Sequence, residues 1–233
     1  MKPIKATTHD TDALIELGRA SVQIVHDLKN QVNGLKLYAT FLRKRMEKSE
    51  RPADELETIY KIMAGLERAA ADMNTLVRFG RPLDPQRQPR LDLAALLAAA
   101  TEGDFAPQDG DDDGDDAYRG DFDAPLLSDA LKSIHAGARQ LAAKDAPPII
   151  NLRRAEIAAG AASAAATTGA TPFALIEWRG LKDAGDNDIF NSFNGGAGLR
   201  LALAAKVIQA HGGTVEQASD ALRVRLPLRK DEG

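Results

Sequence analysis

The sequence predicts an α+β protein in which a long helical hairpin precedes an α/β sandwich. In the first 80 residues, apolar side chains recur at alternating spacings of three and four, which is the period of a packed helix. Prolines then cluster between residues 80 and 90, and the chain beyond them alternates helical with strand-like segments. A length of 233 residues without internal repeats allows one or two domains, and because of the proline-rich break we expect two, 1–80 and 91–233, joined by a linker over 81–90.

The first predicted helix runs from about Thr11 to Glu47. At about 1.5 Å per residue it would be about 55 Å long, so it must pack along its length. Pro52 favours a turn, and a second helix with the same spacing follows it until the stop at 80–82. The first 80 residues therefore read as a helical hairpin. The seam of its first helix is formed by Leu14, Leu17, Ser21, Ile24, Leu28, Gln31, Leu35, Tyr38 and Leu42.

The hairpin carries more apolar surface than two helices can cover for each other. A homodimer in which two hairpins form a four-helix bundle is the simplest way to bury the excess. The additional apolar residues are Val25, Val32, Phe41, Ile62 and Leu76.

His26 falls opposite the apolar seam, and Asn30 lies one turn further along the same face. A neutral imidazole attacks phosphorus well when one ring nitrogen is held by an acceptor, and the adjacent Asp27 is placed to be that acceptor. Taken alone, a lone histidine on such a helix is more often an ordinary surface residue. Asn30 has the same alternative, that of a polar surface residue.

The segment His26-Asp27-Leu28-Lys29-Asn30, within the first helix of a hairpin, resembles the phosphoacceptor box of sensor histidine kinases. The resemblance implies that His26 is the phosphoacceptor, that Asp27 orients it and acts as base, and that Asn30 could position a hydrolytic water. Receiver domains of response regulators would then bind the surrounding surface through Lys29, Asn33, Lys36 and Leu37.

The second domain is predicted to interleave helices with a mostly antiparallel sheet. The acidic run Asp109–Asp116 reads as a solvated loop, with a calcium loop as the weaker alternative, and residues 155–171 read as an excursion between strands. Helices are expected at 91–97, 126–134 and 199–209, and strands at 149–153, 173–178, 215 and 222–228.

Two glycine-containing segments of this domain, 195–201 and 210–215, resemble the last glycine box of the histidine kinase ATP-binding domain and the helix end that follows it. Gly196 and Gly198 are the positions where backbone amides would approach phosphate at a helix N-terminus, here as vestigial contacts. His211 is interpreted as a helix-end residue.

Three departures from the family pattern fall in the nucleotide site. Gly137 stands where the family has an Asn that holds magnesium, and glycine has no metal-binding side chain. The Asp-x-Gly-x-Gly adenine box is missing after the strand at 173–178, and 183–187 imitates it incompletely. Arg200 replaces a small residue in the glycine box. We therefore expect no cofactor on this chain, with Mg²⁺ supplied by the partner receiver domain.

Taken together, the chain looks like the dimeric histidine phosphotransferases, whose scaffold is kinase-like. The resemblance implies a phosphorelay in which His26 accepts a phosphoryl group from one receiver domain and passes it to an aspartate of another. Two alternatives stay open: an ATP-dependent histidine kinase core, and a non-catalytic dimeric scaffold that binds a receiver domain.

Composition excludes other classes of partner. The 30 basic and 34 acidic residues give a net charge of -4, which predicts neither nucleic acid nor membrane binding. The absence of cysteine excludes disulfides and thiolate metal sites. No signal peptide and no apolar run of about eighteen residues is found, so the cytoplasm is the expected compartment.

Overall fold

The computed structural model describes residues 8–48, 53–105, 118–143, 146–157, 171–182, 188–190 and 195–229. The chain divides into two compact units, Met1–Pro82 and Leu83–Gly233. The acidic run Asp109–Asp116, the segment 183–187 and most of 155–171 lie outside the described residues, and so do the predictions made for them.

The first unit is an antiparallel helical hairpin of α1 (Thr8–Glu47) and α2 (Ala53–Gly80). Two contacts between the helices show that they run antiparallel. Lys36 Nζ lies 3.0 Å from Glu67 Oε1, and the guanidinium of Arg43 lies 5.8 Å from the ring centre of Tyr60. Small and branched apolar side chains fill the interface, where Ala39 and Ile59 are buried.

In its described residues, the second unit combines three helices with two antiparallel sheets. Its larger sheet has the strand order β3-β4-β6-β5, and β1 and β2 pair separately. The elements in chain order are β1 (Gln88–Asp92), α3 (Leu93–Ala100), β2 (Arg119–Phe122), α4 (Ala124–Leu141), β3 (Ile149–Ile157), β4 (Thr171–Arg179), α5 (Gly195–Ala210), β5 (Thr214–Gln217) and β6 (Ala221–Pro227).

One face of the larger sheet forms the core with the helices. Because side chains alternate along a strand, Ile176 and Trp178 of β4 point to the same side and are fully buried. The same apolar cluster contains Leu97 of α3, Leu131 of α4 and Ile208 of α5. The second unit is thus an α+β sandwich, and this packing determines where its helix ends lie.

Several element ends differ from those expected. The helix predicted at 91–97 begins only at Leu93, because the side chain of Asp92 accepts hydrogen bonds from the backbone N–H of Ala94 and Ala95 and caps it. Residues 88–92 form β1, so the strand begins within the stretch 81–90 that the prolines suggested was a linker. α5 begins at Gly195, four residues before the predicted start. The prediction missed this first turn because its glycines do not contribute to an apolar period. The four residues of β2 were not predicted.

Within the described residues, no helix has the length and apolar character needed to cross a membrane.

Candidate functional site

His26 lies on α1 with its imidazole in solvent. The side chain is 51% exposed, and that of the neighbouring Asp27 is 61% exposed. α2 packs against another side of α1, where Val25 and Val32 are half-buried and Ala39 is buried, so His26 is left facing solvent. A ring that is open to solvent can be reached by a reacting group carried on another protein.

Two polar side chains approach the same ring nitrogen of His26. Asp27 Oδ1 lies 3.6 Å from Nδ1, and the side-chain amide nitrogen of Asn30 lies 3.5 Å from Nδ1. A carboxylate only accepts, so Asp27 favours a proton on Nδ1, whereas the Asn30 amide nitrogen only donates and favours an unprotonated Nδ1. Among the described residues none bonds Nε2. Nε2 is therefore open to an outside group, and it carries the lone pair in the tautomer that Asp27 favours.

The residues predicted to bind a partner fall into two groups. Asn33 and Leu37 are exposed, seven and eleven residues after His26, which places them on its side of the helix. Lys29 and Lys36 are half-buried and lie nearer α2. Lys36 also pairs with Glu67, so its ammonium helps to hold the hairpin together.

An apolar stripe occupies the opposite side of α1. Its side chains are large and exposed, although they fall at core-like spacing. The stripe consists of Ile24, Leu28, Leu35 and Leu42.

In the second unit, the position where the kinase pattern has its metal-holding Asn lies at a close contact between two helices. Gly137 of α4 is buried, and a Cβ added there would come 2.9 Å from Leu201 Cδ2 of α5. Gly196 and Gly198 lie in the first turn of α5, where Gly198 is buried and Gly196 is half-buried. Arg200 is exposed. The backbone of α4 thus lies directly against a leucine of α5.

His135 lies on α4, and the sequence did not indicate it as a site residue. It is buried, and its Nε2 lies 3.2 Å from Asp104 Oδ2, which is also 3.5 Å from Arg139. Among the residues that the structure describes, neither ring nitrogen has a partner in hydrogen-bonding geometry. Burial lowers the pKa of His135, and the nearby Arg139 charge adds to this, while Asp104 acts in the opposite direction. The apolar period of α4 indicates only which face of the helix His135 occupies. Its contact with Asp104 could therefore not be predicted from the sequence.

His211 ends α5 and has a structural role, as its interpretation as a helix-end residue requires. It is buried, its Nε2 accepts a hydrogen bond from the backbone N–H of Asp123 at 3.0 Å, and its Nδ1 donates to Val207 O at 2.8 Å. Across the described ranges, no three His, Cys, Asp or Glu side chains are grouped so that they would hold a metal ion.

Comparison of the sequence with protein-family models and with curated proteins finds no match. Solved structures do match. Full-length ShkA, solved in complex with AMPPNP, aligns over 91% of this chain with a TM-score of 0.60 and 16% identity. The chain has a histidine kinase-like fold. It spans 46% of the ShkA chain, so about half of that protein has no counterpart here.

Two further structures are similar at lower scores. The histidine kinase AdeS of Acinetobacter baumannii matches over 88% of this chain and 98% of its own, with 16% identity and a TM-score of 0.47. A structure described as a bacterial phosphotransferase matches over 97% of this chain and 99% of its own, with 11% identity and a TM-score of 0.34.

Proposed function

We propose that this protein is a histidine phosphotransferase of a two-component phosphorelay. The observation that carries the proposal is the state of His26: an exposed imidazole on the hairpin of a histidine kinase-like fold, with Asp27 at Nδ1 and Nε2 directed to solvent. The fold supports a role in two-component signalling, and the exposed ring supports transfer between separate proteins.

In the proposed reaction, the Nε2 lone pair of His26 attacks the phosphorus of an aspartyl phosphate on a receiver domain. The N–P bond forms as the P–O bond to the aspartate breaks, and the carboxylate leaves with that electron pair. The proton stays on Nδ1, where Asp27 stabilises the cationic ring. Transfer to a second receiver reverses these bond changes. The receiver would supply Mg²⁺, so the hairpin only has to position the ring.

The second part of the proposal is a homodimer through α1. The apolar stripe of Ile24, Leu28, Leu35 and Leu42 is exposed in the single chain, which favours burial against a second copy. His26 lies on the other side of the helix, so dimerisation through the stripe would leave it accessible.

We further propose that the second unit does not bind ATP as a phosphoryl donor for His26. The close contact of Gly137 with Leu201 leaves no side chain to bind magnesium at the position of the family's Asn, and little room for one. Arg200 places a bulky side chain in the glycine box. The second unit would then serve receiver docking.

The competing function is an ATP-dependent histidine kinase core. One observation favours it: the structure that aligns with a TM-score of 0.60 is described in complex with AMPPNP. A non-catalytic receiver-binding scaffold is the remaining alternative, because an exposed histidine can be a plain surface residue.

Phosphoryl transfer to the purified chain tests all three functions. The chain is incubated with Mg²⁺ and either radiolabelled ATP or a radiolabelled phospho-receiver. We expect acid-labile, alkali-stable label on the chain from the receiver only, and none in the His26→Gln variant. Label from ATP alone supports the kinase and overturns the proposal, and label from neither source supports the scaffold.

Two asparagines on the same helix face provide the test of Asn30 and its matched control, Asn33. Asn30 approaches His26 Nδ1, whereas Asn33 lies one turn further and has no such contact. We expect Asn30→Ala to alter the lifetime of the phosphohistidine while Asn33→Ala leaves it unchanged. Equal lifetimes in both variants would remove Asn30 from the site.

A further inference from the structure

Asp123, just before α4, makes more hydrogen bonds than a helix cap requires. Its Oδ1 accepts from the backbone N–H of Leu126 at 3.0 Å, which is the ordinary capping bond. Its Oδ2 accepts from the backbone N–H of Gln86 at 2.8 Å, and its own N–H donates to His211 Nε2 at 3.0 Å. Asp123 is buried. It therefore joins the start of α4 to the chain 37 residues earlier.

His211 completes this junction at the end of α5. Because Nδ1 donates to Val207 O, the ring must carry its proton there, and Nε2 is left as the acceptor for Asp123. A second contact lies one residue away, where the Arg87 guanidinium donates to Ala210 O at 2.7 Å. This bond satisfies a terminal carbonyl of α5 with a positive charge.

The segment held by these bonds is 83–87, which has no regular secondary structure. Leu83 packs against the apolar core of the second unit, Gln86 is bonded to Asp123, and Arg87 is bonded to the end of α5. Such a segment would normally exchange between conformations, as linkers do. Here the segment is attached to the ends of two core helices, through the backbone of Gln86 and the side chain of Arg87.

We propose that Asp123 and His211 form a latch that fixes residues 83–87 to the ends of α4 and α5. The chain joint between the two units then lies upstream, between Gly80, where α2 ends, and Leu83. Opening the latch would lengthen this joint by about five residues. This inference goes beyond the proposed function and does not depend on phosphoryl transfer.

Hydrogen exchange of the full-length chain tests the latch. Asp123→Ser keeps a capping oxygen for the N–H of Leu126, but this single hydroxyl cannot also reach Gln86. Asp123→Asn has one acceptor oxygen, whereas the bonds to Leu126 and Gln86 need two. In both variants we expect amide exchange in the peptide covering 83–87 to become at least tenfold faster. Exchange in β6 should stay unchanged, because the core is not altered.

The matched control is Asp92→Ser. Asp92 caps α3 by the same kind of bond but does not touch 83–87, and it is exposed. The latch is overturned if Asp123→Ser and Asp123→Asn leave exchange at 83–87 at the wild-type rate, or if Asp92→Ser accelerates it equally. His211→Phe, which removes the Nε2 acceptor, should loosen the same peptide, and tryptic cleavage after Arg87 should rise with it.

Discussion

Leu35 and Leu37 of α1 have equal exposed fractions of 54% but lie on opposite sides of the helix. Two residues correspond to about 200° of rotation, so one leucine joins the apolar stripe and the other lies on the side of His26. The helix therefore presents an apolar stripe on one side and a mostly polar surface with an exposed leucine on the other. One is suited to a second copy of the hairpin, and the other adjoins the proposed phosphoacceptor.

This arrangement predicts opposite phenotypes for two identical substitutions. Leu35→Lys should convert the proposed dimer into a monomer, because a charge in the stripe cannot be buried at low cost. Leu37→Lys should leave the dimer intact and slow transfer from a phospho-receiver about tenfold or more. Sedimentation equilibrium and single-turnover transfer kinetics measure the two effects. A dimer that survives Leu35→Lys, or that is lost in Leu37→Lys, contradicts the assignment of the faces.

The contact between Gly137 and Leu201 predicts an energetic coupling between α4 and α5. Leu201→Ala alone removes buried atoms and should cost about 2 to 5 kcal/mol of unfolding free energy. In a Gly137→Ala background the same change should cost about 1 kcal/mol less, because the added methyl occupies part of the space. Urea unfolding of the four proteins measures the cycle. Additive effects would mean that the two helices do not touch at this point.

The helical hairpin was predictable because its period is long and uninterrupted. Leu28 and Leu42 belong to one repeated pattern, and that pattern alone placed His26 on the opposite face. The α+β character of the second unit followed from strands rich in branched and aromatic residues, such as 173–178. In both cases the signal is local, since neighbouring residues along the chain carry it.

Contacts between distant residues were not predictable in the same way. Asp123 and Gln86 are 37 residues apart, and nothing in either neighbourhood indicates their bond. The pairing of His135 with Asp104 likewise depends on how the end of α3 meets α4. β2 has only four residues, too few for a period to show. Tertiary packing determines all three, and a single sequence does not encode it locally.

The burial of His135 predicts a pH dependence of stability. Because its pKa in the folded chain is lowered from 6.5, the unfolded chain binds more protons between the folded-state pKa and about 6.5. Stability contributed by neutral His135 is therefore present above that window and is lost as the pH falls through it. The slope for one proton is at most about 1.4 kcal/mol per pH unit.

Thermal unfolding between pH 7.5 and 5 measures this effect. His135→Gln should flatten the loss of stability on the acid side, since glutamine does not titrate. Asp104→Asn should extend the loss to lower pH, because the carboxylate that raises the pKa of His135 is removed. A His135→Gln variant with the wild-type slope would show that another group causes the acid loss.

Glu177 on β4 predicts unequal roles for the two arginines that contact it. Its carboxylate is only 6% exposed and accepts a hydrogen bond from Arg223 Nε at 2.8 Å, while Arg153 lies 3.4 Å away and is 62% exposed. Arg223→Met leaves a buried carboxylate without its close partner and should cost about 3 kcal/mol of unfolding free energy. Arg153→Met removes a solvent-screened contact and should cost less than about 1 kcal/mol. Denaturant unfolding of the two variants measures both losses of unfolding free energy. Equal losses would show that the short hydrogen bond from Arg223 is not the main interaction that stabilises buried Glu177.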